Sequence, residues 1–163
     1  MASTDFFLVI DTIKGETADD VMKAKGAMDI ESFSWGIVNA GSMEVAGGGG
    51  SGRSSFQDIH FVKNVDKSSP SLALSCATGK HFTKATLTLR KAGEKQKDYY
   101  IVTLDDVMVT SFQAGASNGS PTIMDQFSLN FAKIKWEYKV QDKAGAMVAG
   151  GEFVYDLKAR KSA

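Results

Sequence analysis

Apolar and polar residues alternate along most of this chain, which is the pattern of β-strands rather than of helices. Residues 6–10 form a short apolar run between two aspartates and predict a buried first strand. Residues 16–26 are charged and fit either a weak helix or a loop. Residues 27–37 predict a second strand, because alternate positions there hold large apolar side chains such as Phe33 and Trp35.

A glycine-rich stretch interrupts the alternation. Six of the 16 glycines lie in residues 39–52, which contain almost nothing able to fill a core. We therefore expect a long loop at about residues 39–54. Loops of this length are uncommon in compact domains and are usually functional or disordered, so a surface linker stays open as the alternative. Met43 and Val45 favour a contact with a partner over exposure to water.

One short helix follows the next strand. Residues 55–64 return to the strand pattern. The run from Ser68 to Pro70 then predicts a helix start, because a hydroxyl can cap free amides and proline suits the first helical position. Gly79 is placed to end the helix in a left-handed cap. We predict a helix at about residues 70–79, with Leu72 and Cys76 on one face.

The second half of the chain predicts further strands. Residues 85–90 alternate as a strand with one buried and one wet face, 92–97 predict a hairpin turn, and 99–112 are apolar enough for a central or covered strand. In the last long strand the apolar positions are odd-numbered up to Phe131 and even-numbered from Ile134. Either a bulge or bend between sheets, or burial of one face by a neighbouring subunit, produces such a switch. Both favour a barrel or a sandwich.

Composition narrows the functional classes. The 163 residues have one-domain length, and 19 basic side chains balance 19 acidic ones. This balance argues against nucleic-acid or anionic-membrane partners and permits self-association. Cys76 is the single cysteine, which we expect to be a small hydrophobe in a reducing compartment. No basic leader and no membrane-length apolar run is visible, so we expect another route if the protein leaves the cell.

Candidate chemistry is sparse. Residues 47–54 nearly match a phosphate-binding loop, but arginine replaces the lysine and a strand pattern follows where a helix is needed. His60 and His81 are too few for a metal site. Asp105 and Asp106 are adjacent in a strand pattern, so we interpret them as a strand-end turn. We predict no catalytic, metal or cofactor residues, with a serine hydrolase near His81 left as an alternative.

Short motifs in a fixed order extend over nearly the whole chain. They are Ser34-Trp35-Gly36, Gly41-Ser42-Met43, the glycine run, Phe56-Gln57-Asp58, Asp66 to Pro70, Gly79-Lys80-His81, Leu89 to Gly93, Tyr100 to Leu104 and Leu129 to Ala132. In content and order they resemble the haemolysin-coregulated protein (Hcp) family, the inner-tube protein of bacterial type VI secretion systems.

The resemblance implies one domain over residues 1–163, a small β-barrel of two antiparallel sheets with one short flanking helix. It implies that six copies form a ring and that rings stack into a tube driven out by a contractile sheath. Small effectors would be held in the lumen, with sheath and spike-tip proteins as further partners. It also implies assembly in the bacterial cytoplasm and secretion without a signal peptide, with no cofactor, no nucleic acid and no membrane insertion.

The glycine-rich loop is our candidate for ring stacking, because it is long and has an arginine at its base that could pair with a carboxylate or carbonyl. The candidate residues are Ser42, Met43, Gly47, Gly48, Gly49, Gly50 and Arg53. One departure from the family lies in Tyr155–Leu157 and the basic residues 158–161, where many relatives carry Gly-Trp-Asn. The alternative function is a monomeric ligand- or protein-binding β-barrel module with the loop as its gate.

Overall fold

The computed structural model describes residues 3–41, 53–92 and 96–162, and β-strands dominate this part of the chain. Its first half contains β1 (Thr4–Ile10), α1 (Asp20–Ala24), β2 (Met28–Ile30), β3 (Ser32–Ser34), β4 (Ile37–Asn39), β5 (Ser54–Phe56) and β6 (Ile59–Asn64). Its second half contains α2 (Ser69–Thr78), β7 (His81–Lys91), β8 (Lys97–Gly115), β9 (Met124–Gln141), β10 (Met147–Asp156) and β11 (Lys161–Ser162). The predicted mainly β fold is confirmed.

In the described part of the chain, nine strands form one antiparallel sheet that curls into a barrel. Its main path runs β11-β10-β9-β8-β7-β1-β2, and β6 joins it by pairing with β9 and β3. Phe6 on β1 lies opposite Ile30 on β2, and Phe33 on β3 lies opposite Phe61 on β6. The short run β2–β3 therefore bridges β1 to β6 and closes the barrel. Strands β4 and β5 form a separate two-stranded sheet.

Apolar side chains from the inward faces fill the barrel. The core includes Leu8, Leu87, Val102, Leu104, Leu129 and Ile134, all at most 2% exposed, together with a stacked pair formed by Phe61 and Phe127 at 5.2 Å between ring centroids. A smaller cluster lies outside the barrel, where Met22 of α1 packs on Phe7 of β1. Residues 16–26, undecided from sequence, thus contain a five-residue helix held by this contact.

Helix α2 begins and ends within a residue of its predicted bounds. Gly79 has φ 66°, which confirms the left-handed cap. The predicted hydroxyl cap is wrong, because Ser68 makes no side-chain bond to the helix amides and instead hydrogen-bonds the Asp66 carboxylate. Leu72 is fully buried and Cys76 is half-buried against the core, so both lie on the packed side of the helix.

Two predicted strands are divided in the structure. Residues 27–37 form parts of β2, β3 and β4, and residues 55–64 form β5 and β6. The segment at residues 27–37 changes its pairing partner from β1 to β6 near Glu31. There Glu31 N donates a hydrogen bond of 2.8 Å to Val62 O of β6. Ile37 is 41% exposed in β4 and does not share the buried face of the preceding aromatics. The alternation of apolar and polar residues does not reveal which strand a segment pairs with, so it cannot predict such a change of partner.

The switch of buried face in β9 is confirmed. Phe131 and Ile134 are both buried, at 3% and 0% exposure, although they stand at odd and even positions of the strand. On the neighbouring strand β8, Asp106 has φ 53°, a left-handed conformation within a 19-residue strand. Asp105 and Asp106 therefore lie in mid-strand, and their interpretation as a strand-end turn is wrong.

The strand at residues 85–90 was predicted to expose one face to solvent, but two residues of that face are buried. Thr88 and Arg90 are 7% and 8% exposed. Arg90 is covered because its Nε lies 2.5 Å from the Asp98 carboxylate and its Nη1 lies 3.5 Å from the Asp19 carboxylate. Strands β7 and β8 pair in antiparallel fashion up to the predicted hairpin turn, of which residues 93–95 lie outside the described residues.

Candidate functional site

The predicted stacking loop lies almost wholly outside the described residues. This applies to Ser42, Met43, Gly47, Gly48, Gly49 and Gly50. Arg53 is described, and it is exposed immediately before β5. The structure therefore describes only the C-terminal base of this loop. Arg53, at that base, lines a groove on the surface.

This groove, named the basic groove, has a volume of about 740 Å³. It is lined by Asn39, Arg53, Ser54, Ser55, Phe56, Tyr155, Leu157 and Arg160. Its described lining includes two arginines and several residues with hydroxyl groups, and none of these described residues carries a carboxylate. Guanidinium groups bind carboxylates in a bidentate fork, so the groove suits an acidic partner.

Aromatic stacking fixes the floor of the basic groove. The Phe56 ring lies 4.9 Å from the Tyr155 ring and 6.4 Å from the Phe153 ring, in stacked orientations. These contacts hold the small β4–β5 sheet against β10. Arg53 is thereby held in place by the β4–β5 sheet. Arg160 is held by the segment that follows β10.

The C-terminal turn is anchored at two points on the barrel. Leu157 N donates to Ala132 O at 2.8 Å, and Lys158 Nζ donates to the Asp106 carboxylate at 2.7 Å. The Lys158 hydrogen bond, aided by His81, lowers the pKa of Asp106, and the same carboxylate raises the pKa of Lys158. Because of this anchoring, Arg160 is presented at the rim of the basic groove.

Sequence reasoning identified Arg53 but missed Tyr155 and Arg160 as its neighbours. The available signal is the basic run 158–161, which departs from the family pattern and by itself gives no partner for Arg160. Residues 53 and 160 are too far apart in sequence for any local pattern to pair them.

A second groove, named the acidic groove, lies over β1 and β2 on the outside of the barrel. Its volume is about 500 Å³, and four of its lining residues are Asp5, Asp19, Asp29 and Glu31. Threonine and apolar residues of these strands and of the segment before α1 complete the lining. The two grooves thus carry opposite charge.

Strand β10 presents a free edge. Along Met147–Val154 it pairs with β9 on one side, and no other described strand pairs with it there; β11 bonds only to its last two residues. Val148 on this strand and its partner Val140 on β9 are 43% and 38% exposed. An unpaired edge with exposed apolar side chains is a surface for strand addition.

No catalytic arrangement is present in the described ranges. His81 Nδ1 lies 3.3 Å from Asp106, but both side chains are exposed and no serine there hydrogen-bonds to His81. Within these ranges no three His, Cys, Asp or Glu side chains cluster as a metal site would require. The helices of this part of the chain are all too short or too polar to cross a membrane.

These features define a small β-barrel protein with a free strand edge and two grooves of opposite charge. Comparison with known proteins gives the particular family. The model of the family described as "Type VI secretion system effector, Hcp" matches residues 7–138. The chain belongs to this Hcp family of type VI secretion tube proteins.

Individual relatives agree with this assignment. The chain is 39% identical over 161 residues to a Pseudomonas aeruginosa protein named hcp1, with 98% of both chains covered. A solved structure of a type six secretion system protein has a TM-score of 0.89 and 26% identity, covering 99% of this chain and 100% of that one. Hcp1 from Salmonella typhimurium has a TM-score of 0.77 and 32% identity, with both chains covered completely.

Family membership decides several of the predictions. The Hcp family is a secreted family of non-enzymatic structural proteins, so the prediction that the chain is not an enzyme is confirmed and the hydrolase alternative is wrong. The resemblance drawn from the sequence motifs is confirmed as well.

Proposed function

We propose that this chain forms rings of six copies, which stack head to tail into the tube. The whole chain, residues 1–163, acts as one barrel unit in this proposal. The observation that carries it is the free edge of β10 along Met147–Val154, since an exposed edge strand associates readily with another strand. A head-to-tail contact between copies of one chain closes into a ring when its rotation divides a full turn.

The axial contact is assigned to the glycine-rich loop at residues 39–54. Its contributing residues are Ser42, Met43, Gly47, Gly48, Gly49, Gly50 and Arg53. The support is the composition of the loop, which offers a long backbone with few side chains for a core, and the exposed position of Arg53 at its base. A guanidinium at that place is suited to a carboxylate or carbonyl of the next ring.

The ring would enclose a lumen able to hold small effector proteins during export. Sheath and spike-tip proteins of the secretion system are the further partners in this proposal. The protein would assemble in the bacterial cytoplasm and leave with the tube, without a signal peptide. The support for these roles is the match to hcp1 of Pseudomonas aeruginosa over nearly the full length of both chains.

Light scattering coupled to size exclusion tests the ring, followed by negative-stain imaging of the peak. We expect a mass six times that of the 17.5 kDa chain and annular particles. A monomer at every concentration would overturn the proposal and favour the monomeric binding module.

Deletion of Gly47–Gly50 tests the axial contact separately. We expect intact rings and shorter filaments, because the loop contributes little to the core. The control replaces the same four residues by Gly-Ser-Gly-Ser, which keeps the length. Filaments of unchanged length in the deletion variant would contradict the assignment.

A further inference from the structure

We propose that the basic groove of one copy docks onto the acidic groove of the next, with Arg53 and Arg160 as the inserted cations. This inference rests on the proposed function and names the surfaces that carry its axial contact, to which Arg53 is already assigned. The partner is therefore a second copy of this chain, recognised by its carboxylates.

The basic side is built to project positive charge. Arg53 and Arg160 are both exposed, and neither belongs to an ion pair within the described residues. The aromatic floor formed by Phe56 and Tyr155 keeps the two supporting segments together. Two arginines held at one rim present a pair of planar forks, which bind carboxylates with directional hydrogen bonds.

The acidic side has more carboxylates than cations. Arg90 is the cation at its boundary, and its guanidinium is already shared between Asp98 and Asp19. Asp29 and Glu31 are exposed and form no ion pair in the described ranges; Glu31 accepts only a hydrogen bond from Asn64 Nδ2 at 3.1 Å. Like charges on neighbouring strands repel, and an inserted guanidinium removes that repulsion.

The placement of the grooves favours a contact between copies. The acidic groove lies on β1 and β2, at one end of the main strand path, and the basic groove lies beside β10 and β11, at the other end. Each copy therefore carries one groove of each sign on different parts of its surface. Such a pair of surfaces makes a head-to-tail contact, which propagates from copy to copy. Complementary charge also fixes orientation and speeds association.

Charge reversal with a mixing step tests the proposal. One variant is Arg53→Glu with Arg160→Glu, and the other is Asp29→Lys with Glu31→Lys. The assembly mass of each is measured by light scattering at low salt. We expect each variant alone to associate at least about tenfold more weakly than the unchanged protein, because like charges then face each other. Mixed in equal amounts, they should recover assemblies that contain both variants.

A matched control reverses the same number of charges elsewhere, with Lys84→Glu and Lys143→Glu, two exposed lysines outside both grooves. Its assembly mass should equal that of the unchanged protein. If a reversed variant fails to fold by circular dichroism, Arg53→Gln with Arg160→Gln provides the same comparison with a smaller perturbation. Weaker association of this neutral variant supports the proposal.

The outcomes separate this inference from the proposed function. If the unchanged protein forms stacked rings and both reversed variants stack equally well, the groove contact is wrong while the ring stands. Loss of stacking in both variants without recovery on mixing also overturns the pairing of these two grooves. A monomeric unchanged protein would overturn both proposals together. Loss of effector binding with unchanged assembly would contradict the choice of a second copy as the partner.

Discussion

Lys158 donates a 2.7 Å hydrogen bond to the carboxylate of Asp106, a residue 52 positions earlier in the middle of β8. Asp106 is also the point at which β8 adopts a left-handed φ of 53°, a conformation that aspartate tolerates better than most residues. One residue thus interrupts the regular conformation of β8 and holds the C-terminal turn. Because that turn presents Arg160, this interruption and the basic groove are linked.

The pH dependence of this anchor follows from its two pKa shifts. The pKa of Asp106 is lowered below 3.8, so the stabilisation is present above that value and is lost as the pH falls through the folded-state pKa. The pKa of Lys158 is raised above 10.5, so its contribution is present below that value and is lost as the pH rises through the shifted pKa. We expect the carboxyl carbon of Asp106 to titrate below pH 3.8 in an NMR titration. A midpoint above that value would contradict the contact.

Substitution of Asp106 by asparagine tests the anchor at neutral pH. Asparagine keeps the tolerance for positive φ and removes the charge, so the barrel should fold while the C-terminal turn opens more often. We expect faster amide hydrogen exchange at Leu157, whose N–H bonds to Ala132. Asp105→Asn is the control, and equal exchange rates in the two variants would argue against the anchor.

Lys63 is the cation of a buried polar cluster, so its removal should be costly. The side chain is 0% exposed and its Nζ donates to Asp125 at 3.2 Å and to Asp66 at 2.9 Å. Lys63→Met leaves the buried Asp125 without its cation, and we expect a loss of about 3–5 kcal/mol in the free energy of unfolding by urea. The exposed Lys84→Met should change it by less than about 0.5 kcal/mol. Similar values for both would show that the cluster contributes nothing.

Gly15 and Gly151 form a matched pair for backbone crowding. A Cβ at Gly15 would lie 2.3 Å from Ala27 O and 2.7 Å from the Met28 Cα, whereas a Cβ at Gly151 meets nothing within 4 Å. Gly15→Ala must shift the backbone, and we expect a destabilisation of about 1–3 kcal/mol in urea unfolding. Gly151→Ala should be neutral or stabilising by up to about 1 kcal/mol. The reverse order would contradict the close approach of Gly15 to β2.

Two tryptophans that touch each other differ in their hydrogen bonding. Trp35 Nε1 donates to Tyr100 OH at 3.0 Å, whereas Trp136 Nε1 is buried and has no partner among the described residues. Burial raises the pKa of Tyr100, and the Trp35 hydrogen bond opposes that rise. Trp35→Phe should therefore cost about 0.5–1.5 kcal/mol more than Trp136→Phe in chemical unfolding. The two substitutions remove the same ring volume, so equal losses would mean that the Tyr100 bond has no net value.

Local patterns predicted those elements that local forces control. The proline at the start of α2 and Gly79 at its end depend on a few neighbouring residues, and the predicted helix agrees with the structure within a residue at each end. The switch of buried face between Phe131 and Ile134 was visible because strand side chains alternate with a period of two. In the site, Arg53 was identified for its place beside the glycines.

Partner choice was the part that local patterns missed. The predicted strand at residues 27–37 became three strands because it pairs in turn with β1, β6 and β5. Arg160 joined Arg53 only because Phe56 stacks on Tyr155 across about 100 residues of chain.

By itself, the sequence determined the β class, the main helix, the switch of buried face in the last long strand and, through its motifs, the family. Alternation, capping and turn chemistry are short-range, so they are fixed by residues a few positions apart. The tertiary structure decided which strands pair, where Asp106 interrupts the regular conformation of β8, and how charges far apart in the sequence form two grooves of opposite sign. These features arise from contacts between distant residues, whose geometry exists only once the barrel has closed.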